Sequence, residues 1–260
     1  MEPPRLNHRR SGSGEALVLL HGLGANLRSW APVLMLAEAE RDVLAVDLPG
    51  FGESPRLLAG IRPDVGALAD AMERELDAAG LERPALAGNS LGGWIALELA
   101  RRGRAASVVA ISPAGMWSEK ERLWADRFLR TQLAAAKLLE SRAELLRNAV
   151  VRTVFLAGIS ARPWRADPED IVYGLRALAR SNFLPTHEAM ISDRCRGLEQ
   201  IGCPVLILWG TRDLLLPVRQ GPRFAERIPG ARLVELPGLG HVPMADDAEL
   251  VARAILDFKG

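Results

Sequence analysis

The chain is poor in several residue types, and each shortage narrows the class of protein it can be. It has two cysteines, Cys195 and Cys203, and four histidines among 260 residues. The cysteines form no motif and indicate no disulfide framework. Cys203 stands at the start of a strand-like run, which predicts a buried free thiol. We expect a chain of this kind in the reducing cytoplasm.

Membrane-spanning segments and a strong net charge are also missing from the sequence. No run approaches the roughly 20 apolar residues of a membrane span, and residues 1–5 lack the apolar core of a signal peptide. Arginine supplies nearly all the positive charge, yet the formal net charge is only +1. Because the arginines are scattered, we expect no nucleic-acid partner.

Short apolar runs alternate with helical patterns along most of the chain. The predicted strands are residues 16–20, 42–46, 84–87, 107–111, 204–209 and 232–236. The predicted helices are residues 63–79, 91–102 and 218–227, followed by a C-terminal helix with an apolar stripe from Leu250 to Phe258. This alternation predicts an α/β fold, with a mostly parallel sheet covered by helices on both faces.

The strand signal fades between residues 112 and 197, where amphipathic helical patterns replace it. We predict a core made of residues 1–111 and 198–260, with residues 112–197 inserted as a helical cap over the site. This insertion is called the predicted cap below. In the alternative, its helices simply cover the sheet. Its aromatic residues occur at helical spacing, and we assign none of them to a substrate.

The most informative motif is Gly-Asn-Ser-Leu-Gly at residues 88–92, between a predicted strand and a predicted helix. A serine in a Gly-x-Ser-x-Gly turn has a strained backbone that presents its hydroxyl. The two glycines leave room where the strand and the helix pass close together. The pentapeptide alone is a weak signal, so its context has to support the prediction that Ser90 is a nucleophile.

A serine hydroxyl needs a base that takes its proton and a third group that orients the base. His241 lies in a glycine-rich loop after the last predicted strand, at the sheet edge where ligands gather, and is the candidate base. Asp213 follows the predicted strand 204–209 and is the candidate acid. The rival position after strand 107–111 offers no carboxylate before Glu119.

Acyl transfer also requires N–H donors for the oxyanion that forms on the substrate. The backbone N–H of Leu91, which follows the candidate nucleophile, is one candidate. The N–H of Leu23, in the His-Gly-Leu-Gly turn at residues 21–24, is the other, because flanking glycines let the backbone approach a substrate. A plain glycine turn is the alternative interpretation of residues 21–24.

Taken together, these motifs resemble the α/β-hydrolase fold superfamily over nearly the whole sequence. The resemblance is carried, in order, by the 21–24 turn, Asp-Leu-Pro-Gly-Phe-Gly-Glu-Ser at 47–54, the 88–92 elbow, Trp-Gly-x-x-Asp at 209–213 and Gly-His at 240–241. It implies an eight-stranded sheet with a helical cap inserted after the sixth strand. It also implies nucleophile, acid and base roles for Ser90, Asp213 and His241. Asp47 receives no catalytic role, and no metal or organic cofactor is implied.

The expected activity is that of a carboxylesterase-like serine hydrolase, which cleaves a small, moderately apolar ester through an acyl-enzyme. Dehalogenases and epoxide hydrolases of the superfamily use an aspartate where this chain has Ser90, so their chemistry is disfavoured. Asn89 resembles the elbow of enzymes that hydrolyse carbon–carbon bonds of ring-fission products, although Val242 stands where those enzymes often have tryptophan. A ligand-binding receptor without catalysis is the alternative from another class. The physiological substrate and the oligomeric state stay open.

Overall fold

The short apolar runs of the sequence form the strands of one sheet in a computed structural model that describes residues 5–258. The strands are β1 His8–Gly12, β2 Ala16–Leu20, β3 Asp42–Val46, β4 Ala85–Asn89, β5 Ser107–Ile111, β6 Val205–Gly210 and β7 Arg232–Leu236. Their order across the sheet is β1-β3-β2-β4-β5-β6-β7. β1 runs antiparallel to β3 and every other neighbouring pair is parallel, which confirms the predicted α/β-hydrolase fold.

The sheet has seven strands in the described residues, not the eight that the resemblance implied. Only β1 precedes β2 in the described residues. The segment before β1 forms hydrogen bonds with side chains. The Leu6 N–H donates to the Glu75 carboxylate, and the Asn7 N–H donates to the Ser54 hydroxyl. The Asn7 carbonyl oxygen still accepts from the Asp47 N–H (2.9 Å) beside β3, but residues 5–7 form no strand of their own.

Ten α-helices occur within residues 5–258, some of them joined by short 3₁₀ turns. They are α1 Ala31–Ala37, α2 Val65–Ala78, α3 Leu91–Arg101, α4 Glu119–Leu139, α5 Ala149–Phe155, α6 Pro168–Arg180, α7 Phe183–Ile191, α8 Gly221–Ala225, α9 Pro243–Asp246 and α10 Ala248–Leu256. The prediction that Pro63 lies in the first turn of α2 is wrong. The helix begins at Val65, two residues after Pro63. The Asp64 side chain caps it by accepting a hydrogen bond from the Ala67 N–H.

Alternate residues of the central strands point into two separate hydrophobic layers. Val18 and Leu20 belong to the layer that includes α2 and α3, whereas Leu17 and Leu19 belong to the layer that includes α1 and α10. This alternation is the period-2 pattern of a sheet covered on both faces. The sheet is thereby held rigid between two apolar layers, and its carboxyl edge can position loops.

The predicted cap contains α4 to α7 and a small apolar cluster of its own. Its fully buried members come from three parts of this region: Ala136, Ala143, Leu146, Val172 and Leu175. The division of the chain into a core and a cap at residues 112 and 197 stays a prediction.

Both cysteines lie inside the fold. Cys195 and Cys203 are buried free thiols, as predicted for Cys203. Residues 1–4, on which the signal-peptide argument rests in part, lie outside the described residues. Among the helices of residues 5–258, none has both the length and the apolarity needed to cross a membrane.

Candidate active site

The candidate nucleophile lies in a sharp turn between β4 and α3. Ser90 has φ of 55° and ψ of −114°, which is a left-handed conformation that L side chains rarely adopt. A side chain at Gly88 would meet the Gly92 carbonyl oxygen, and a side chain at Gly92 would meet the carbonyl oxygens of Leu20 and His21. The two glycines are therefore required by close backbone approach, and the turn supports Ser90 in its strained conformation.

The candidate acid and base lie side by side at the carboxyl edge of the sheet. Asp213 follows β6, and its Oδ2 is 2.7 Å from Nδ1 of His241, which follows β7. Asp213 Oδ1 accepts from the N–H groups of Leu215 (3.0 Å) and Leu216 (2.7 Å). A carboxylate can only accept, so Nδ1 carries the proton and donates it in this hydrogen bond. Nε2 is then the basic nitrogen of the ring. Both side chains are buried, so little water competes for this hydrogen bond.

A buried amide connects the nucleophile strand to the loop of the candidate base. Asn89 Nδ2 donates to the main-chain oxygen of His241 (2.9 Å) and to that of Ile111 (3.2 Å). Within residues 5–258, however, no hydrogen bond joins the Ser90 hydroxyl to His241. Such hydrogen bonds are often long until a substrate is bound. The Asn89 side chain, which the sequence suggested as a mark of carbon–carbon hydrolases, here connects the ends of β4 and β5 to the loop after β7.

The turn that carries the first candidate oxyanion donor packs against the elbow. A Cβ at Gly22 would lie 3.3 Å from Ser90 Cβ and 3.4 Å from Asn89 Oδ1. Leu23, the next residue, is half-buried. Leu91 is the first residue of α3, so its N–H has no partner within the helix. The geometry places both candidate donors in segments that adjoin Ser90.

Both ring nitrogens of His21 form hydrogen bonds with the main chain. Its Nε2 accepts from the Leu48 N–H at 2.9 Å, and its Nδ1 donates to the Gly22 carbonyl at 2.8 Å. The ring is fully buried, and burial lowers its pKa below the usual range. A neutral His21 thus joins the turn after β2 to the loop after β3.

Asp47 connects three neighbouring segments through its side chain. Its buried carboxylate accepts from Asn7 Nδ2 (2.7 Å), from the Leu27 N–H (2.7 Å) and from the Glu53 N–H (2.9 Å). All three donors come from segments around the edge of the sheet. Removing this carboxylate would take the hydrogen-bond acceptor from three donors at once, so Asp47 holds these segments together.

The two remaining histidines and the rival acid Glu119 lie elsewhere. His8 is on β1 at the sheet edge, where its Nδ1 is 3.1 Å from the Glu75 carboxylate. His187 is buried in α7 and contacts Asp126 of α4 through Nε2 at 2.7 Å; burial lowers its pKa. Glu119, the rival acid, is exposed and paired with Arg122.

The sequence analysis missed Asp246, a buried carboxylate five residues after His241. It accepts hydrogen bonds from the predicted cap and from the residue before His241. The available signal was an acidic residue at the end of the short apolar run 242–245. An ionised side chain in such a run is seldom buried without partners.

Comparison with known proteins identifies relatives over most of the chain. Residues 17–254 match the model of the alpha/beta hydrolase family. The chain is 32% identical over 203 residues to epoxide hydrolase EphH of Mycobacterium tuberculosis, which spans 74% of this chain and 92% of that protein. It is 31% identical over 258 residues to the pimeloyl-[acyl-carrier protein] methyl ester esterase of Neisseria meningitidis serogroup B, which spans 92% of this chain and 91% of that protein.

Among solved structures, a membrane phospholipase A described as a novel bacterial virulence factor is similar in fold. It superposes with a TM-score of 0.78 at 28% identity and covers 98% of this chain and 85% of its own. The family match spans the elbow, both candidate partners of Ser90 and the region between them. On the evidence of fold, motif order and this match, the chain belongs to the alpha/beta hydrolase family.

Proposed function

We propose that this protein is a serine hydrolase of carboxylesterase type, with Ser90 as nucleophile, His241 as base and Asp213 as the residue that orients the base. The observation that supports this most strongly is the buried 2.7 Å contact between His241 Nδ1 and Asp213 Oδ2. The His241 main-chain oxygen in turn accepts a hydrogen bond from Asn89, the residue before Ser90. The proposed substrate is a small, moderately apolar carboxylic ester.

In the acylation step, Ser90 Oγ attacks the ester carbonyl carbon while His241 Nε2 takes the hydroxyl proton. The carbonyl oxygen becomes an oxyanion, which the N–H groups of Leu23 and Leu91 stabilise. The imidazolium then gives its proton to the leaving alkoxide, so an alcohol departs and an acyl-serine ester remains. Asp213 keeps its negative charge throughout and stabilises the positive ring.

Deacylation repeats the same steps with water as the nucleophile. His241 Nε2 removes a proton from water as its oxygen attacks the acyl-serine carbonyl. Collapse of the second oxyanion returns the proton to Ser90 Oγ and releases a carboxylic acid. The cycle therefore consumes one ester and one water, and it needs no metal or organic cofactor.

Apolar side chains of the predicted cap favour a substrate with an apolar acyl group. A Cβ at Gly24 would lie 2.7 Å from Leu178 Cδ1 and 3.0 Å from Phe183 Cδ2, so these side chains press on the turn that carries Leu23. We propose that residues 112–197 act as the cap over the site. Since two apolar residues adjoin the oxyanion donor, an uncharged substrate chain would be bound better than a charged one.

The similarity to an epoxide hydrolase does not transfer its reaction to this site. Opening an epoxide with Ser90 would produce an alkyl ether, which has no carbonyl carbon for water to attack. A carboxylate nucleophile would instead produce an ester that water can hydrolyse. Ser90 therefore favours substrates that already contain a carbonyl, as in the ester named for the Neisseria relative.

A reaction with a fluorophosphonate probe tests the proposal, because only an activated serine reacts. Wild-type protein should be labelled at Ser90 and should hydrolyse p-nitrophenyl esters. Ser90→Ala should lose both properties, with ester turnover reduced by at least about 10³-fold. Labelling is read by mass spectrometry of the 85–101 peptide, and folding is checked by circular dichroism.

Ser112→Ala is the matched control for this substitution. Ser112 also has a positive φ, of 43°, at the end of the neighbouring strand β5, and it is fully buried. The control should keep both labelling and turnover. An unlabelled but folded wild type would instead favour a receptor without catalysis, and wild-type turnover in Ser90→Ala would exclude Ser90 as the nucleophile.

A further inference from the structure

One carboxylate joins the predicted cap to the loop of the candidate base. Asp246 Oδ1 accepts from Ser160 Oγ (2.5 Å) and the Arg162 N–H (2.8 Å), and Oδ2 accepts from the Ala161 N–H (3.1 Å) and the Gly240 N–H (2.7 Å). The side chain is 3% exposed. Four donors from two distant segments therefore converge on one buried anion.

The same cap segment also contacts the main chain of the candidate base. The N–H groups of His241 (2.8 Å) and Val242 (3.2 Å) both donate to the Ile159 carbonyl oxygen. A Cβ at Gly240 would lie 2.8 Å from this oxygen and 2.8 Å from the Ala161 nitrogen. Only a glycine admits so close an approach, so residues 159–161 lie directly against the His241 loop.

His241 is thus supported from three directions. Asp213 holds its ring and Asn89 holds its main-chain oxygen, and both belong to strand ends of the sheet. Ile159 holds its main-chain nitrogen and belongs to the predicted cap. The first two supports are fixed by the sheet. The third depends on whatever keeps residues 159–162 in place.

We propose that Asp246 is a positioning residue for hydrolysis: it clamps residues 159–162 against the His241 loop and so keeps the imidazole in its working position. This inference rests on the proposed function of Ser90 and His241. Asp246 contacts no reacting atom, so its effect on the reaction passes through His241. Because the clamp joins the predicted cap to the His241 loop, a displacement of residues 159–162 should lower the rate of hydrolysis.

A carboxylate is the group that this position requires. Three of the four donors are main-chain N–H groups, which cannot be removed by changing a side chain. An asparagine would keep one acceptor oxygen and turn an NH₂ donor toward two other donors. A donor that faces this amide group loses its acceptor, so the segment would separate from the loop.

Asp246→Asn tests the proposal against Asp247→Asn, its neighbour in the chain. Asp247 caps α10 through the Leu250 N–H (3.1 Å) and lies 3.6 Å from the Arg162 guanidinium. Asp246→Asn should lower kcat about 10- to 100-fold with little change in KM, because a small displacement of a catalytic group has that effect. Asp247→Asn should keep kcat within about twofold of wild type.

Two further variants separate positioning from simple loss of structure. Asp246→Glu keeps two acceptor oxygens and should recover part of the lost kcat. Ser160→Ala removes one donor to Asp246 and should lower kcat in the same direction by a smaller factor. Combined with Asp246→Asn, Ser160→Ala should add almost nothing further, because the two residues form one contact. If Asp246→Asn fails to fold, Ser160→Ala and Asp246→Glu supply the test.

Amide hydrogen exchange of residues 240–242 reports the clamp without relying on ester hydrolysis. Protection should fall in Asp246→Asn and persist in Asp247→Asn. Unchanged protection, or a loss of protection with unchanged kcat, would overturn the positioning role. Absence of Ser90 labelling in the wild type would contradict the proposed function, and the exchange data would still show whether the clamp exists.

Discussion

At the residue scale, the loop of the candidate base depends on a few buried polar contacts between distant segments. Asn89 is the member of this set that belongs to the elbow. Its amide donates to the main-chain oxygen of Ile111 at the end of β5 and to that of His241 in the loop after β7. An apolar side chain of similar size would fill the same space without bonding either oxygen. Asn89 therefore contributes to the position of the loop that carries the candidate base.

Substituting Asn89 by alanine should therefore weaken both the fold and the reaction. The loss of two buried hydrogen bonds should reduce the free energy of unfolding by about 1–3 kcal/mol. It should also lower kcat for p-nitrophenyl esters by about tenfold or more, because the His241 loop loses one of its supports. Urea unfolding and steady-state kinetics measure the two effects separately.

Asn148→Ala is the control for this prediction. Asn148 caps α5 through the Val150 N–H at 2.9 Å and has no contact with His241. Loss of a helix cap costs about 1 kcal/mol, so this variant should lose stability and keep its kcat. An Asn89→Ala protein with wild-type kcat would show that the amide does not support the base.

At the scale of elements, the first turn of α4 is anchored to the core by a buried carboxylate. Glu121 closes a capping box with Ser118 and binds Arg219 and Arg223, each at 2.6 Å. Burial alone would raise the pKa of Glu121. Hydrogen bonds from Arg223, Ser118 and Arg219 outweigh burial and lower the pKa from 4.5 to about 2. This residue therefore fastens the beginning of the predicted cap.

The lowered pKa of Glu121 predicts how stability changes with acidity. A carboxyl group whose pKa is lower in the folded state stabilises the fold fully above its unfolded pKa of 4.5. That contribution is lost as the pH falls from there through about 2. The contribution should be about 1–3 kcal/mol at neutral pH, reduced by the exposure of Arg219.

Glu121→Gln measures this contribution directly. The difference in unfolding free energy between wild type and Glu121→Gln should be largest near neutral pH and should shrink below pH 4.5. Glu119→Gln, an exposed neighbour paired with Arg122, should change the stability profile little. A wild-type advantage that persists unchanged to about pH 2 would contradict the assignment.

At the scale of the whole molecule, two apolar layers enclose the sheet and the thiols lie within one of them. Cys195 and Cys203 both belong to the layer that includes α2 and α3. Burial raises the pKa of both thiols. A thiol reacts as its thiolate, so both should be inert while the fold is intact.

Ellman's reagent should therefore modify neither cysteine in native protein, and both after unfolding in urea. The rate in the native protein should follow global unfolding, because both thiols belong to the main core. Cys195→Ala and Cys203→Ala variants assign the signal to one thiol each. Rapid modification of either thiol without denaturant would show that this part of the core opens locally.

The sequence predicted six of the seven strands and missed β1, one of the two edge strands. Residues 16–20, 42–46, 107–111 and 232–236 are strands with the predicted bounds, because each is a short run flanked by turn residues. β1 was missed, since His-Arg-Arg-Ser-Gly at 8–12 is an exposed edge strand without apolar alternation. The predicted helix at 218–227 is a 3₁₀ turn followed by the short helix α8, because Pro222 and the turn before it limit regular hydrogen bonding.

The sequence by itself determined the local chemistry of the elbow. The order strand, Gly-x-Ser-x-Gly and helix follows from residue types that are neighbours in the chain, and the positive φ of Ser90 follows from the same segment. Such features depend on local propensity and sterics, which a sequence pattern records. The candidate residues Asp213 and His241 were named from their positions after predicted strands.

Only the tertiary structure decided which side chains meet. Asp213 and His241 are 28 residues apart, Ser160 and Asp246 are 86 apart, and Asn89 and His241 are 152 apart. These contacts depend on the order of the strands in the sheet and on how the inserted helices fold back onto its edge. No local pattern encodes that order, because each contact forms only once separate segments share one core. The contacts of Asp246 with residues 160–162 follow from no local pattern for the same reason.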